Sequence, residues 1–520
     1  MRTTMAGWIL ALFLAWPAAA DEPERAVDAP PADAPVATAV EPTAKTEPAS
    51  PAAEAAPAEG TTAPDAVAPP AEATLPPAPT PRRVQLQMDV RGELFAPTGR
   101  GTDPVRQPIT VEARFDFIER PATGGDGAAN REYREAKAVV RIDDRSDEIA
   151  LPADARRVAV ALRGTTPTPY LADAFLSRAE ADLLDTPFDS LLLDRLLPVD
   201  PIGVGGKWTV PADATAGMLA IDTIEAGGLE AELTAVDVEQ ATVRITGIVD
   251  GAVDGVPTHL TIEGECRVAA TAADDAPATW RLTAPQVAAV TIRERRQAGH
   301  VAPGFEVEAR VGIARRPVAP GGAEETASSP AATPSVRRRG TGRPGLVWHV
   351  DRDGGYDLVC DARWRVVEDG PTGLVLRLVD HGALVGQCSL TALPPSDALA
   401  PPTIAEVQRD IERSLAGQFG RFEQASEATR SDGVRIVRVV SVGTAENLPF
   451  RWIHHVLTDS SGRRAAATFM LEAAAAKRFA AADREFVDGL AFPGTPAPDA
   501  PTPGAPSDRA ARVPRETVTP

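Results

Sequence analysis

The sequence predicts an α+β protein. A large antiparallel β-sheet domain with a short helical cover is followed by a smaller block that layers helices on strands, with disordered Pro/Ala-rich arms around both. Three observations carry this. Apolar and polar residues alternate strictly through the first block. A single Leu-rich stretch interrupts that rhythm. The last third runs strands, helix, strands, helix, the order of an α+β layer pair.

The elements follow in chain order. Residues 1–20 read as a secretory signal peptide: Arg2, a short apolar run from Ala6 to Trp16, and Ala18-Ala19-Ala20 before a cut that leaves Asp21 first. About a dozen apolar residues are too few to span a bilayer, which takes ~20. Residues 21–81 are an Ala/Pro/Thr/Glu run that cannot bury enough surface to offset its chain entropy. Eleven acids against two bases between Asp21 and Thr80 place much of the net charge of -20 in this arm. A flexible chain of about sixty residues has a mean reach of roughly 40 Å.

Residues 82–315 form the first block. Val84, Leu86, Met88 and Val90 share one strand face, and Ile109, Val111, Ala113, Phe115 and Phe117 another. Period two with one polar face means antiparallel strands wet on one side. Further strands are expected at 138–143, 157–162, 229–238, 242–249, 259–269, 287–295 and 305–313. The Leu-rich stretch, Tyr170 to Leu197, reads as two short helices split at Thr186-Pro187, lying on the dry face of the sheet.

Residues 316–344 and 493–520 share the character of the first arm. Arg337-Arg338-Arg339 reads as a solvated basic cluster in the first of these linkers. Residues 345–492 form the second block. Strands are expected at 356–360, 374–379, 384–390, 434–442, 450–457 and 465–471. Thr403-Ile404-Ala405-Glu406 is a capping box. Ile404, Val407, Ile411 and Leu415 then recur as one stripe of an amphipathic helix. A final helix is expected from Ala474 to Leu490, with Phe479, Phe486 and Leu490 inward.

The mild acidity of the folded blocks argues against nucleic acid, whose phosphates need a basic face. Three cysteines are few for a secreted disulfide scaffold. Cys360 and Cys388 share a block, which leaves both a disulfide and two buried thiols open. Gly203-Val204-Gly205-Gly206-Lys207-Trp208 lacks the first Gly and the Ser or Thr of a phosphate-cradling loop, and reads as a turn. His349, His381, His454 and His455 lie in the block of Cys360 and Cys388, but no pair has chelating spacing. His454 and His455 are adjacent on an expected strand and so point to opposite faces. Asp351-Arg352-Asp353-Gly354-Gly355 lacks the distal ligands of a calcium loop and reads as a hairpin turn. Gly299 to Gly304, with His300, reads as a compact turn.

The second block resembles the Mog1/PsbP-like α/β sandwich. The residues that carry the likeness are Trp364, Val385-Gly386-Gln387-Cys388-Ser389-Leu390, the helix at Thr403, the hairpin with Trp452, and Phe479, Asp483 and Leu490-Ala491-Phe492. The resemblance implies a non-enzymatic binding or assembly module. The first block resembles part of uncharacterised exported bacterial proteins, through Ser190 to Pro198, Val204 to Trp208 and Gly247 to Gly255.

These readings converge on an exported, non-enzymatic binding or assembly module of the bacterial cell envelope, in the periplasm or outside it. The sequence assigns no catalytic residue, no cofactor-binding residue and no metal ligand. The expected partner is a protein or an envelope component, with no nucleic acid and no stable membrane span after cleavage. The alternative is a periplasmic carrier of a lipid or other apolar ligand, with the Leu-rich stretch as lid. That alternative fails if Phe175, Leu184, Leu192 and Leu196 pack against Val111 and Phe115 without a void. A third reading, an envelope-degrading enzyme, requires carboxylates or histidines converging in a cleft.

Overall fold

The computed structural model describes residues 80–96, 104–122, 129–253, 256–273, 278–296, 304–318, 337–351, 355–370, 373–395 and 401–493. The expected signal peptide, the arms at 21–79 and 494–520, most of the linker and the turn with His300 lie outside them. The described residues belong to one compact unit.

The alternating sequence of the first block builds fourteen strands: β1 (Arg82–Ala96), β2 (Val105–Pro121), β3 (Ala129–Ile142), β4 (Arg145–Ala150), β5 (Arg157–Arg163), β6 (Thr166–Tyr170), β7 (Leu176–Ser177), β8 (Ile202–Gly203), β9 (Lys207–Thr209), β10 (Thr223–Asp237), β11 (Gln240–Val253), β12 (Val256–Ala272), β13 (Thr279–Arg296) and β14 (Gly304–Pro317). All except β7 join a thirteen-stranded sheet whose main path runs β6-β5-β3-β2-β1-β14-β13-β12-β11-β10-β9. The β1 and β2 faces assigned from periodicity are buried as expected, from Val84 and Leu86 through Phe115 and Phe117.

At one end the sheet closes on itself. β8 pairs with β13 at Ile202↔Trp280, β9 pairs with β10 at Trp208↔Ala231, and Gly205 donates its N–H to Leu233 O at 2.7 Å. The Gly-rich segment therefore turns from one edge of β10–β13 to the other. Gly205 needs its freedom there, at φ +84°.

The Leu-rich stretch departs from expectation. It forms one helix of seven residues, α1 (Arg178–Leu184), and a 3-10 turn at Leu193–Leu196. Leucines in consecutive runs lack the 3.6-residue spacing a helix needs. Phe188 takes φ +54° and gives its N–H to Met218 O, which belongs to a second short helix, α2 (Ala212–Leu219). The dry face is thus filled by irregular chain and not by a helical cover. Leu184, Leu192 and Leu196 share one buried cluster with Val111 and Phe115. Phe175 is buried as well, with its ring beside Gly340.

Charge pins this stretch down. Arg131, in-facing from β3, gives Nη1 and Nη2 to Asp189 at 2.8 and 2.6 Å and Nε to Glu119 at 3.0 Å. It is in-facing because a one-residue irregularity opposite Asp116 and Phe117 resets the phase of β3. Ser190 donates Oγ–H to Glu119 at 2.5 Å, and the guanidinium lies 4.9 Å over the Phe117 ring. Burial pushes the neighbouring Tyr133 phenol up to about 12. Arg315 forks onto Asp194 at 3.0 and 3.1 Å.

The second block builds β15 (Leu346–Val350), β16 (Asp357–Asp361), β17 (Trp364–Gly370), β18 (Gly373–Asp380), β19 (Ala383–Leu393), α3 (Ile404–Leu415), β20 (Phe419–Thr429), β21 (Arg435–Ala445), β22 (Leu448–Thr458), β23 (Arg464–Glu472), α4 (Ala476–Phe479), α5 (Ala482–Asp488) and β24 (Leu490–Ala491). A seven-stranded antiparallel sheet runs β17-β18-β19-β23-β22-β21-β20. One face buries Trp364, Leu376, Cys388 and Phe469 against Phe479 and Phe486. Trp364 meets Phe486 edge-on with centroids 5.0 Å apart. The single terminal helix expected at 474–490 is broken instead. Ala480 takes φ +47° between α4 and α5, a left-handed backbone that ends the first helix before the second begins.

These findings correct the expected fold class. Among the described residues strands dominate, the longest helix is the twelve-residue α3, and the α+β reading with its helical cover does not stand.

The blocks are sutured together. β7 pairs in parallel with β15, so a strand of the first block completes the small sheet β24-β16-β15-β7. Arg178 donates to Ala362 O at 2.8 Å. Of Arg337-Arg338-Arg339 the first two are not solvated, with side chains 8% and 9% exposed, while Arg339 is exposed. Arg337 gives both terminal nitrogens to the Glu180 carboxylate at 2.7 Å each. Arg338 is ion-paired with Asp357, and Arg339 bridges to Ala174. A trio flanked by low-complexity chain thus becomes the clasp of the seam.

Candidate functional site: a pocket between helix α3 and the sheet

Helix α3 begins where the sequence places it. Thr403 donates its N–H to Glu406 Oε2 at 2.8 Å, and Glu406 returns its N–H to Thr403 Oγ1 at 3.3 Å. Its stripe, Val407 and Ile411, packs on Val437 and Val439 of β21, with Val456 alongside. A twelve-residue helix is about 18 Å long and lies over β20 and β21 at one edge of the seven-stranded sheet.

The strip left beside it is set by register. Ser389, Thr468, His454 and Val439 stand in one row across β19, β23, β22 and β21. Gln387, Met470, Trp452 and Ser441 stand in the next. Between these rows and α3 lies a pocket of about 530 Å³, lined by Val407, Ile411, Leu415, Trp452, Met470 and Thr468 among others. Its volume falls in the range of small-molecule sites, which combine apolar walls with a few polar groups. Trp452 is 3% exposed, and its ring lies 5.9 Å from that of Phe450.

His454 and His455 face opposite sides of β22. His454 lines the pocket, with Nδ1 3.2 Å from Thr468 Oγ1. Burial, helped by the adjacent His455, pulls its pKa down to about 4, so the ring is neutral at neutral pH. His455 points into the core, with Nε2 2.9 Å from Asp483 Oδ2, while Arg438 pairs with the same oxygen at 2.7 Å. His349 is buried on β15, and His381 is exposed with Nδ1 3.3 Å from Asp380. Among the described residues no three His, Cys, Asp or Glu side chains gather closely enough to hold a metal ion.

The three thiols are free and buried. Burial pushes Cys266 and Cys360 up to about 12, and burial together with the neighbouring Cys360 raises Cys388 well above its ordinary value. Protonated buried thiols are poor nucleophiles. Residues 352–354 lie outside the described set. Asp351 accepts the Gly355 N–H at 2.9 Å and gives its own N–H to Tyr356 O, as a hairpin turn does.

No protein-family model and no curated protein matches the chain. Among solved structures, cyanobacterial PsbP (CyanoP) from Synechocystis sp. PCC 6803 is 12% identical, covering 28% of this chain and 92% of that one, with a TM-score of 0.24. Lipovitellin, from a study of its lipid–protein interactions, is 8% identical over 50% of this chain and 27% of that one, with a TM-score of 0.23. A mutant porin of Rh. blastica is 10% identical over 75% of this chain and 99% of that one, with a TM-score of 0.11. A PsbP-like structure is thus among the solved structures to which the chain is similar. At these scores the likenesses carry no inference about function. The resemblance of the first block finds no match.

Proposed function

We propose that this chain is an exported, non-catalytic binding protein of the cell envelope, and that the pocket between α3 and the sheet takes an uncharged apolar ligand. The observation that carries the reading is the pocket itself: about 530 Å³ of space walled by Trp452, Met470, Val407 and Ile411. Filling it removes apolar surface from water at ~25 cal/mol per Å². The neutral His454 adds no charge to desolvate.

Binding is favoured over catalysis by the state of the reactive groups. The thiols are protonated, and His455 is occupied by Asp483. The apolar-ligand reading also moves within the molecule. The sequence placed such a ligand under a Leu-rich lid, but Leu192 and Leu196 of that stretch are buried in one cluster with Val111 and Phe115.

The test is a titration of the whole chain with the uncharged fluorophore N-phenyl-1-naphthylamine. The expected result is saturable binding of one probe per chain, weakened at least tenfold by Ala466→Trp, which fills the pocket from β23. Absence of saturable binding, or equal binding to the filled variant, overturns the proposal.

A further inference from the structure

The seam holds a second cleft, of about 360 Å³, to which both blocks contribute. Leu184 and Ile221 come from the first block and Val347 from the second; Pro167 and Pro169 of edge strand β6 close one side. Six aspartates and four arginines line it, a surplus of acid. Most of these charges are committed. Arg178 holds Asp182 at 2.9 Å, Arg131 holds Asp189 at 2.6 Å, and Arg363 holds Asp361 and Asp380 at 3.2 and 3.1 Å.

Asp185 is different. It is half-buried just past the end of α1, and its carboxylate makes no hydrogen bond or ion pair to any described residue. The charges that act on it through space are Arg365 from β17, Asp182 and Arg178 from α1, and Asp222 from the turn before β10. Burial lifts it to about 6; Arg365 and Arg178 pull it back, and Asp182 and Asp222 push it up.

We infer that this cleft binds a cationic amine with a short apolar body, its ammonium on Asp185 and its body against Leu184, Ile221 and Val347. A desolvated carboxylate without a donor is costly, and an ammonium supplies charge-assisted hydrogen bonds. An anion would meet surplus acid and arginines already engaged.

Three probes with one body and different heads test this: 2-phenylethylamine, 2-phenylethanol and phenylacetate, titrated calorimetrically into the whole chain. The amine is expected to bind at least tenfold more tightly than the alcohol, with phenylacetate weaker still. D185N is expected to remove that preference, and A216F, which narrows the cleft from α2, to weaken all binding. Asn replaces a desolvated charge, so D185N is expected to fold, and its melting curve checks this. In the wild type alone, amine affinity falls as pH drops from 7.5 through 6 and Asp185 protonates. A466W closes the other pocket and leaves the amine titration unchanged, so the two proposals stand or fall separately. Equal binding of the three probes, absence of amine binding, or a full amine preference in folded D185N overturns the inference.

Discussion

Replacing Arg131 with Met tests how the Leu-rich stretch is fixed to the sheet. The Arg131 side chain is 3% exposed and the Glu119 and Asp189 side chains 4% each. The substitution deletes a bidentate pair at 2.6 and 2.8 Å and the contact to Glu119 at 3.0 Å. Two carboxylates are left buried, with only Ser190 Oγ–H on Glu119 and the Leu191 N–H on Asp189. Removing one partner of a buried ion pair costs about 3–5 kcal/mol, a large share of a stability of about 5–15 kcal/mol. With a urea slope of about 3 kcal/mol per M, the midpoint falls by about 1 to 2 M. The assay is urea unfolding followed by circular dichroism and tryptophan fluorescence. The triple variant R131M/E119L/D189L removes every charge of the triad and is expected to recover most of the loss, since apolar replacement of a buried ion pair is often neutral. A midpoint for R131M within about 0.2 M of wild type, or a triple variant no better than the single, refutes the reasoning.

Further outcomes follow from the same structure. Thr403→Ala removes the cap of α3 and is expected to cost about 1 kcal/mol in urea unfolding, with a parallel loss of probe affinity in the α3 pocket. Glu180→Ala unclasps Arg337, so trypsin is expected to cut at Arg337 to Arg339 in the variant and to spare them in the wild type, as mapped by mass spectrometry. The folded pKa of His454 lies below its unfolded value of about 6.5. The unfolded chain therefore takes up the proton first as pH falls, and stability is lost between about 6.5 and 4. His454→Leu is expected to remove that part of the acid sensitivity, read as the difference between the two stability–pH curves.

The strands of the first block were legible because one wet face leaves a period-two trace, as in Val84 to Val90. That trace fails where the backbone changes phase: residues 129–137 of β3 went unread because the irregularity at Asp116/Phe117 resets the alternation. The edge strand β20 went unread because it is exposed along nearly its whole length. The Leu-rich stretch was over-read as helix because apolar content marks burial but not backbone geometry. The α3 cap and stripe were legible because their signals are local. The pocket beside them was not, because Gln387, Ser389, Trp452, Thr468 and Met470 meet along rows that run across strands, and no local signal joins them. Asp185 carries no local mark at all. Its isolation arises in the fold, where the nearby Arg178 pairs with Asp182 instead.

The central claim is an apolar site beside α3, and Trp452 is its natural reporter. The chain is labelled with 5-fluorotryptophan, the Trp452 fluorine resonance is assigned with W452F, and N-phenyl-1-naphthylamine is titrated in. The account predicts that the Trp452 resonance moves saturably while those of Trp208, Trp280, Trp348 and Trp364 stay in place. A stationary Trp452 resonance at saturating probe, or equal movement of all the tryptophans, contradicts it.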